Sequence, residues 1–149
     1  MNGPQTPAAV SVTPSSGSGS SQTFSFVYSD ANGFGDLPWT QMIVNSSLNG
    51  TSACYTHYDR ASNTLLLLND AATAWSGPVT LGMAASVQNS QCTVNALGSS
   101  ASGVGSNLTL NLALTFKAAF GGLKNVYMQT YDTGGLASGW QQRGTWSAP

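Results

Sequence analysis

Glutamate is absent from this chain, histidine occurs once, cysteine twice, and Asp, Lys and Arg together make up only 6% of the residues. An average soluble domain carries about 25% charged residues, so the usual charged surface is missing. The consequences are exclusions. The four basic residues, Arg60, Lys117, Lys124 and Arg143, cannot form the basic stripe that neutralises a run of phosphates, which excludes nucleic acid as a partner. The same scarcity excludes a polybasic membrane-surface segment. A closed zinc site needs about four nitrogen or sulfur ligands, and the two cysteines and single histidine do not supply them.

Long apolar runs are also missing. The longest candidate is the four leucines 65 to 68, far short of the ~20 residues of a membrane-spanning helix, so no membrane insertion is expected. The opening decapeptide MNGPQTPAAV has neither the positive stretch nor the apolar core of an export signal. For an exported protein the signal is therefore expected to lie outside this sequence. With net charge −1, solubility rests on Ser, Thr, Asn, Gln and Gly, a composition that suits a secreted or surface protein.

What is present is strand periodicity. In TFSFVYSD, Phe24, Phe26 and Tyr28 fall on one face. In NLTLNLALTF, Leu108, Leu110, Leu112, Leu114 and Phe116 point one way and Thr109, Asn111, Ala113 and Thr115 the other, the alternation of a half-buried antiparallel strand. Further strands are predicted at TQMIVN, ACYTHYD, TLLLLND, PVTLG, SQCTVN, KNVYMQTYD and WQQRGTW, separated by segments rich in Gly, Ser and Asp. Only FKAAFGGL hints at a helical turn. Residues 1–22 read as a flexible Pro/Ser/Gly-rich arm with one strand at AVSVT, and residues 23–149 as one domain. The expected fold is an all-β, two-sheet antiparallel sandwich, Ig-like or fibronectin-like, of about seven to nine strands.

Cys54 and Cys92 stand in two of the predicted strands. A disulfide between them suits the low-charge, extracellular composition; two free thiols are the alternative. If Cys54 faces inward, the alternation in ACYTHYDR puts Tyr55, His57 and Asp59 on the outer face. A lone surface His–Asp pair of this kind is ordinarily inert. With no GxSxG elbow and no carboxylate pair in opposed environments, catalysis is not expected.

The segments ACYTHYDRASNTLLLLNDA, NSQC and the late SGW, taken with VSVTPSSGSGSSQTFSFVYSDANG, resemble an Ig-like module of bacterial secreted and surface proteins, often multi-module ones. The resemblance covers nearly the whole chain and implies a β-sandwich, an extracellular or cell-surface home and no catalysis. Fold alone does not assign function.

Two sites follow as expectations. Uncharged polar side chains interleaved with Trp and Tyr are typical of glycan-binding surfaces, and Trp39 and Trp75, beside turn formers, are the expected exposed pair; Trp140 and Trp146 are expected to pack inward. In SDANGFGDL, Asp30, Asn32 and Asp36 offer oxygen ligands for calcium, though the segment departs from the helix-loop-helix pattern in glycine position and in lacking glutamate; an Asx-turn is the alternative. No other cofactor is expected. The functional expectation is a noncatalytic spacer, adhesion or assembly unit partnered by neighbouring modules, with carbohydrate binding through exposed aromatics as the second reading. Self-assembly would proceed by donating the AVSVT strand to another copy; pairing within the same domain is the alternative.

Overall fold

The computed structural model describes residues 5–149; residues 1–4 of the arm lie outside the described residues. The chain forms eleven strands: β1 (Ala8–Thr13), β2 (Ser21–Ser29), β3 (Trp39–Asn45), β4 (Cys54–Asp59), β5 (Thr64–Leu68), β6 (Trp75–Thr80), β7 (Ser86–Gln88), β8 (Cys92–Val104), β9 (Asn107–Phe116), β10 (Gly122–Tyr131) and β11 (Gln141–Ala148). Two short 3-10 turns, Phe34–Asp36 and Ala118–Phe120, are the only helical elements among the described residues. The second of them is the helical turn expected in FKAAFGGL.

The strands pair antiparallel in two sheets, β1-β2-β9-β8-β7 and β11-β10-β3-β4-β5-β6. Setting aside β6 and β7, this is the strand order of a variable-type immunoglobulin sandwich: β1-β2-β9-β8 in one sheet and β11-β10-β3-β4-β5 in the other. β6 and the three-residue β7 extend the two sheets at one side, which raises the strand number above the seven to nine expected.

Period-two alternation builds the core. Phe24, Phe26 and Tyr28 of β2 and Leu108, Leu110, Leu112, Leu114 and Phe116 of β9 meet Met42, Val44, Tyr58, Leu65, Leu67, Val126 and Met128 from the facing sheet. The Tyr28 hydroxyl, wholly buried, donates to the Gln41 carbonyl across the interior at 3.0 Å. Burial holds that phenol far above its usual pKa.

Cys54, the first residue of β4, and Cys92, the first of β8, form a disulfide that joins the two sheets with both residues fully buried. An immunoglobulin domain places its inter-sheet bridge elsewhere, between the second and penultimate strands. Beside the bridge, Asn89 donates to the carbonyls of Ala53 (2.8 Å) and Leu68 (3.0 Å) and accepts from the Gln91 and Cys92 amides (2.8 and 2.9 Å), so the NSQC segment ties three strand ends together.

The AVSVT strand is β1, paired with β2 of its own chain. The segment after it is hydrogen-bonded too: Thr145 and Ser147 amides donate to Ser15 and Gly17, and Gly19 donates to Ser147. Trp146 is inward-facing as expected, its Nε1 donating to the Gly19 carbonyl at 2.9 Å. None of the described residues forms a helix long and apolar enough to cross a membrane.

Candidate functional site

The outer face of the six-stranded sheet is where sequence alternation and strand register combine. On β3, inward Thr40, Met42 and Val44 alternate with outward Trp39, Gln41 and Ile43. Register then sets Trp39 opposite Tyr131, Gln41 opposite both Gln129 and His57, and Ile43 opposite Tyr55. The two cross-strand partners of Gln41 are thus an amide and an imidazole ring. Two further rings come from outside the central strands: Trp75 opens β6, and Trp140 immediately precedes β11.

The rings form a continuous chain. Trp39 stacks on Tyr131 (centroids 4.2 Å, 29°) and lies 5.1 Å from His57. His57 is 5.8 Å from Trp75, and Tyr55 meets Trp75 and Trp140 edge-on at 5.1 and 5.5 Å. Edge-to-face packing satisfies the ring quadrupoles and fixes the orientation of each ring by its neighbours. Trp75 is the most open of the set, at 39% exposure.

Beneath the rings Gln41, only 9% exposed, acts as the polar hub. Its Oε1 accepts from the Tyr55 hydroxyl (2.8 Å) and from Gln129 Nε2 (2.7 Å). With the oxygen so engaged, its Nε2 donates to His57 Nδ1 at 3.0 Å. Nδ1 is therefore the unprotonated nitrogen, and the ring is neutral with its proton on Nε2. Burial lowers the His57 pKa, and the negative charge of Asp59 opposes that shift.

This arrangement predicts a pH effect. A histidine whose folded pKa lies below the unfolded value of about 6.5 contributes stability that is complete above that value and is lost as pH falls, because the unfolded chain takes up the proton more readily. Asp30, whose pKa is raised first of all by burial, works in the opposite sense, but it is common to wild type and variant. Urea unfolding at pH 7.5 and 5 should show wild type losing more stability than His57→Gln on acidification. Equal losses would mean that His57 is not the titrating group.

The expected exposed pair, Trp39 and Trp75, does share this face, with His57 between them. Trp140 does not pack into the core as expected: it is half-exposed and joins the face. Loop residues have no periodicity from which their side could be read. Tyr131 and Gln129 were legible in principle, since KNVYMQTYD alternates them with inward Val126, Met128 and Thr130.

On the opposite sheet the outer face is different in kind. It carries two adjoining open depressions of about 410 Å³ each, which share Asn95 and Thr115 and are lined otherwise by residues such as Gln22, Thr23, Ser86 and Thr93, with no aromatic ring in either.

Of the three oxygen donors expected for calcium, Asp30 and Asp36 lie close together. Asp30 Oδ1 accepts from the Asn32 amide (2.7 Å) as an Asx-turn, while Asn32 Oδ1 accepts from the Gln5 amide (2.9 Å). Asp30 and Asp36 come together with Asp132, from the loop after β10. No family model matches the chain, and no curated protein or solved structure aligns with it significantly.

Proposed function

We propose that this chain is a noncatalytic, extracellular adhesion module of a larger secreted protein, of the bacterial Ig-like kind it resembles, and that it binds a neutral polysaccharide on the outer face of the six-stranded sheet. The observation that carries the reading is the chain of rings from Tyr131 through Trp39, His57, Trp75 and Tyr55 to Trp140, interleaved with the Gln41 and Gln129 amides. Sugar rings stack on aromatic faces, and their hydroxyls meet amides and phenols. The near absence of charge selects against charged glycans. The buried inter-sheet disulfide supports an oxidising compartment.

Ring geometry narrows the ligand. A crystalline polysaccharide presents its sugar faces in one plane and calls for coplanar rings, whereas these stand at 29° to 88° to one another. A single flexible glycan chain, able to twist from ring to ring, fits that relief. Pairing of β1 with β2 in the same chain supports a self-contained module rather than strand donation between copies.

Affinity electrophoresis in soluble neutral polysaccharides, preceded by a glycan array to choose them, tests the reading. Trp39→Ala and Trp75→Ala should each weaken binding about tenfold or more while leaving a cooperative thermal transition. Retention of full binding by both variants would remove this face as the site.

A further inference from the structure

At the end of the sandwich next to Trp39 and Tyr131, three carboxylates converge from two connections: Asp30 just after β2 and Asp36 in the first 3-10 turn, both between β2 and β3, and Asp132 just after β10. One carboxylate oxygen from each lies within 4.8 Å of the others. Gly33, at φ 102°, makes the turn that returns the chain, its amide donating to the Asp30 carbonyl at 2.8 Å. That backbone conformation favours glycine. The Thr133 hydroxyl donates to Asp36 Oδ1, and the Thr133 amide donates to the Asp36 carbonyl at 3.0 Å, so the loop after β10 is clamped against the turn.

The second observation is independent of this clustering. Asp30 is 1% and Asp132 3% exposed. In each, Oδ1 accepts a backbone amide, from Asn32 (2.7 Å) and Leu136 (2.8 Å) respectively. In each, Oδ2 is buried and has no hydrogen-bond partner. Arg60 reaches the same turn, yet its guanidinium donates to the carbonyls of Leu37 and Gly35 (2.9 Å each) and not to a carboxylate. Buried carboxylate oxygens without a donor carry a desolvation cost of several kcal/mol per ion unless a cation shares them or a proton neutralises the group. The like charges of Asp36 and Asp132 add to the effect of burial on Asp30.

We propose that Asp30, Asp36 and Asp132 form a calcium site that cross-links the β2–β3 and β10–β11 connections. All three donors are hard oxygens, the set that selects calcium or magnesium over zinc or copper. Two oxygens bound to one Ca²⁺ at about 2.3–2.6 Å stand at most about 5 Å apart, which the mutual distances here satisfy; Mg²⁺, at about 2.0–2.1 Å, imposes a stricter octahedron. Calcium takes about six to eight oxygen ligands, so water would have to supply the remainder, and half-buried Asp36 leaves a side open to it. The site stands apart from the glycan reading and does not depend on it.

Calorimetric titration with CaCl₂ and thermal melts in CaCl₂, MgCl₂ or EDTA at pH 7 test it on the whole chain. Wild type should bind Ca²⁺ with measurable heat, and its Tm should rise by roughly 5–10 °C at a hundred times the Kd, with EDTA reversing the shift. Asp132→Asn and the more exposed Asp36→Asn should lose the calcium response, yet melt in EDTA no lower than wild type in EDTA, because a repelling charge has been removed. An unchanged wild-type Tm and no heat at millimolar Ca²⁺, a calcium shift retained by both variants, or equal shifts in Mg²⁺ and Ca²⁺ would each overturn the assignment.

Discussion

Replacing both Cys54 and Cys92 by alanine is expected to lower the stability of this protein by about 4 kcal/mol, the chain-entropy term for releasing a loop whose ends are 38 positions apart. Against the 5–15 kcal/mol typical of a domain, that is a large fraction. For a chain of this length it corresponds to a fall in Tm of roughly 10 °C. Alanine is the informative replacement, since serine would bury two hydroxyls in an apolar interior.

The bridge also bears on the candidate site. Cys54 directly precedes Tyr55 on β4, and that strand supplies His57 as well. Its partner Cys92 begins the longest strand of the opposite sheet. Loosening β4 from the facing sheet should therefore soften the middle of the aromatic chain along with global stability. Urea denaturation with and without reductant checks the first effect. A midpoint unmoved by reduction under conditions that demonstrably release two thiols would refute it.

The second large effect lies beneath the opposite sheet. Phe24 sits at the centre of an aromatic cluster in the core, 5.1 Å from Trp146 edge-on and 6.1 and 6.2 Å from Phe26 and Phe116. Phe24→Ala removes the ring from a site with no solvent access, leaving a cavity whose walls are themselves rigid rings that cannot collapse inward. A loss of about 3–5 kcal/mol is expected. Equilibrium urea unfolding followed by tryptophan fluorescence measures it, Trp146 being a reporter in direct contact. A change under about 1 kcal/mol would show that the cluster is not packed as described.

Trp146 and Trp140, six positions apart near the C-terminus, illustrate how far the sequence could be read. Trp146 lies within β11, where alternation puts it inward with Ala148. Trp140 lies just before the strand begins, and there the period-two rule has no purchase. Its side was decided by the β10–β11 connection, in which the Ser138 amide donates to Thr130 at 3.0 Å and the Thr130 amide to Ser138 Oγ at 3.0 Å, bringing Trp140 to Tyr55.

The metal ligands divide in the same manner. Asp30 and Asp36 are six positions apart and were legible together as oxygen donors in one loop. Asn32, between them, has its oxygen turned to the Gln5 amide. Asp132 carried no signal as a ligand in the sequence, because its proximity to Asp36 arises only when β10 pairs with β3 and Tyr131 comes opposite Trp39.

Sequence by itself determined the all-β class, the inward and outward sides of the strands, and an outer face bearing Tyr55 and His57, because each depends on a repeat of two residues that local chemistry enforces. Tertiary structure alone decided which of those faces became a connected aromatic surface, where the disulfide sits relative to it, and which aspartates meet. Those outcomes depend on strand order and register, and register couples residues whose separation along the chain leaves no local trace.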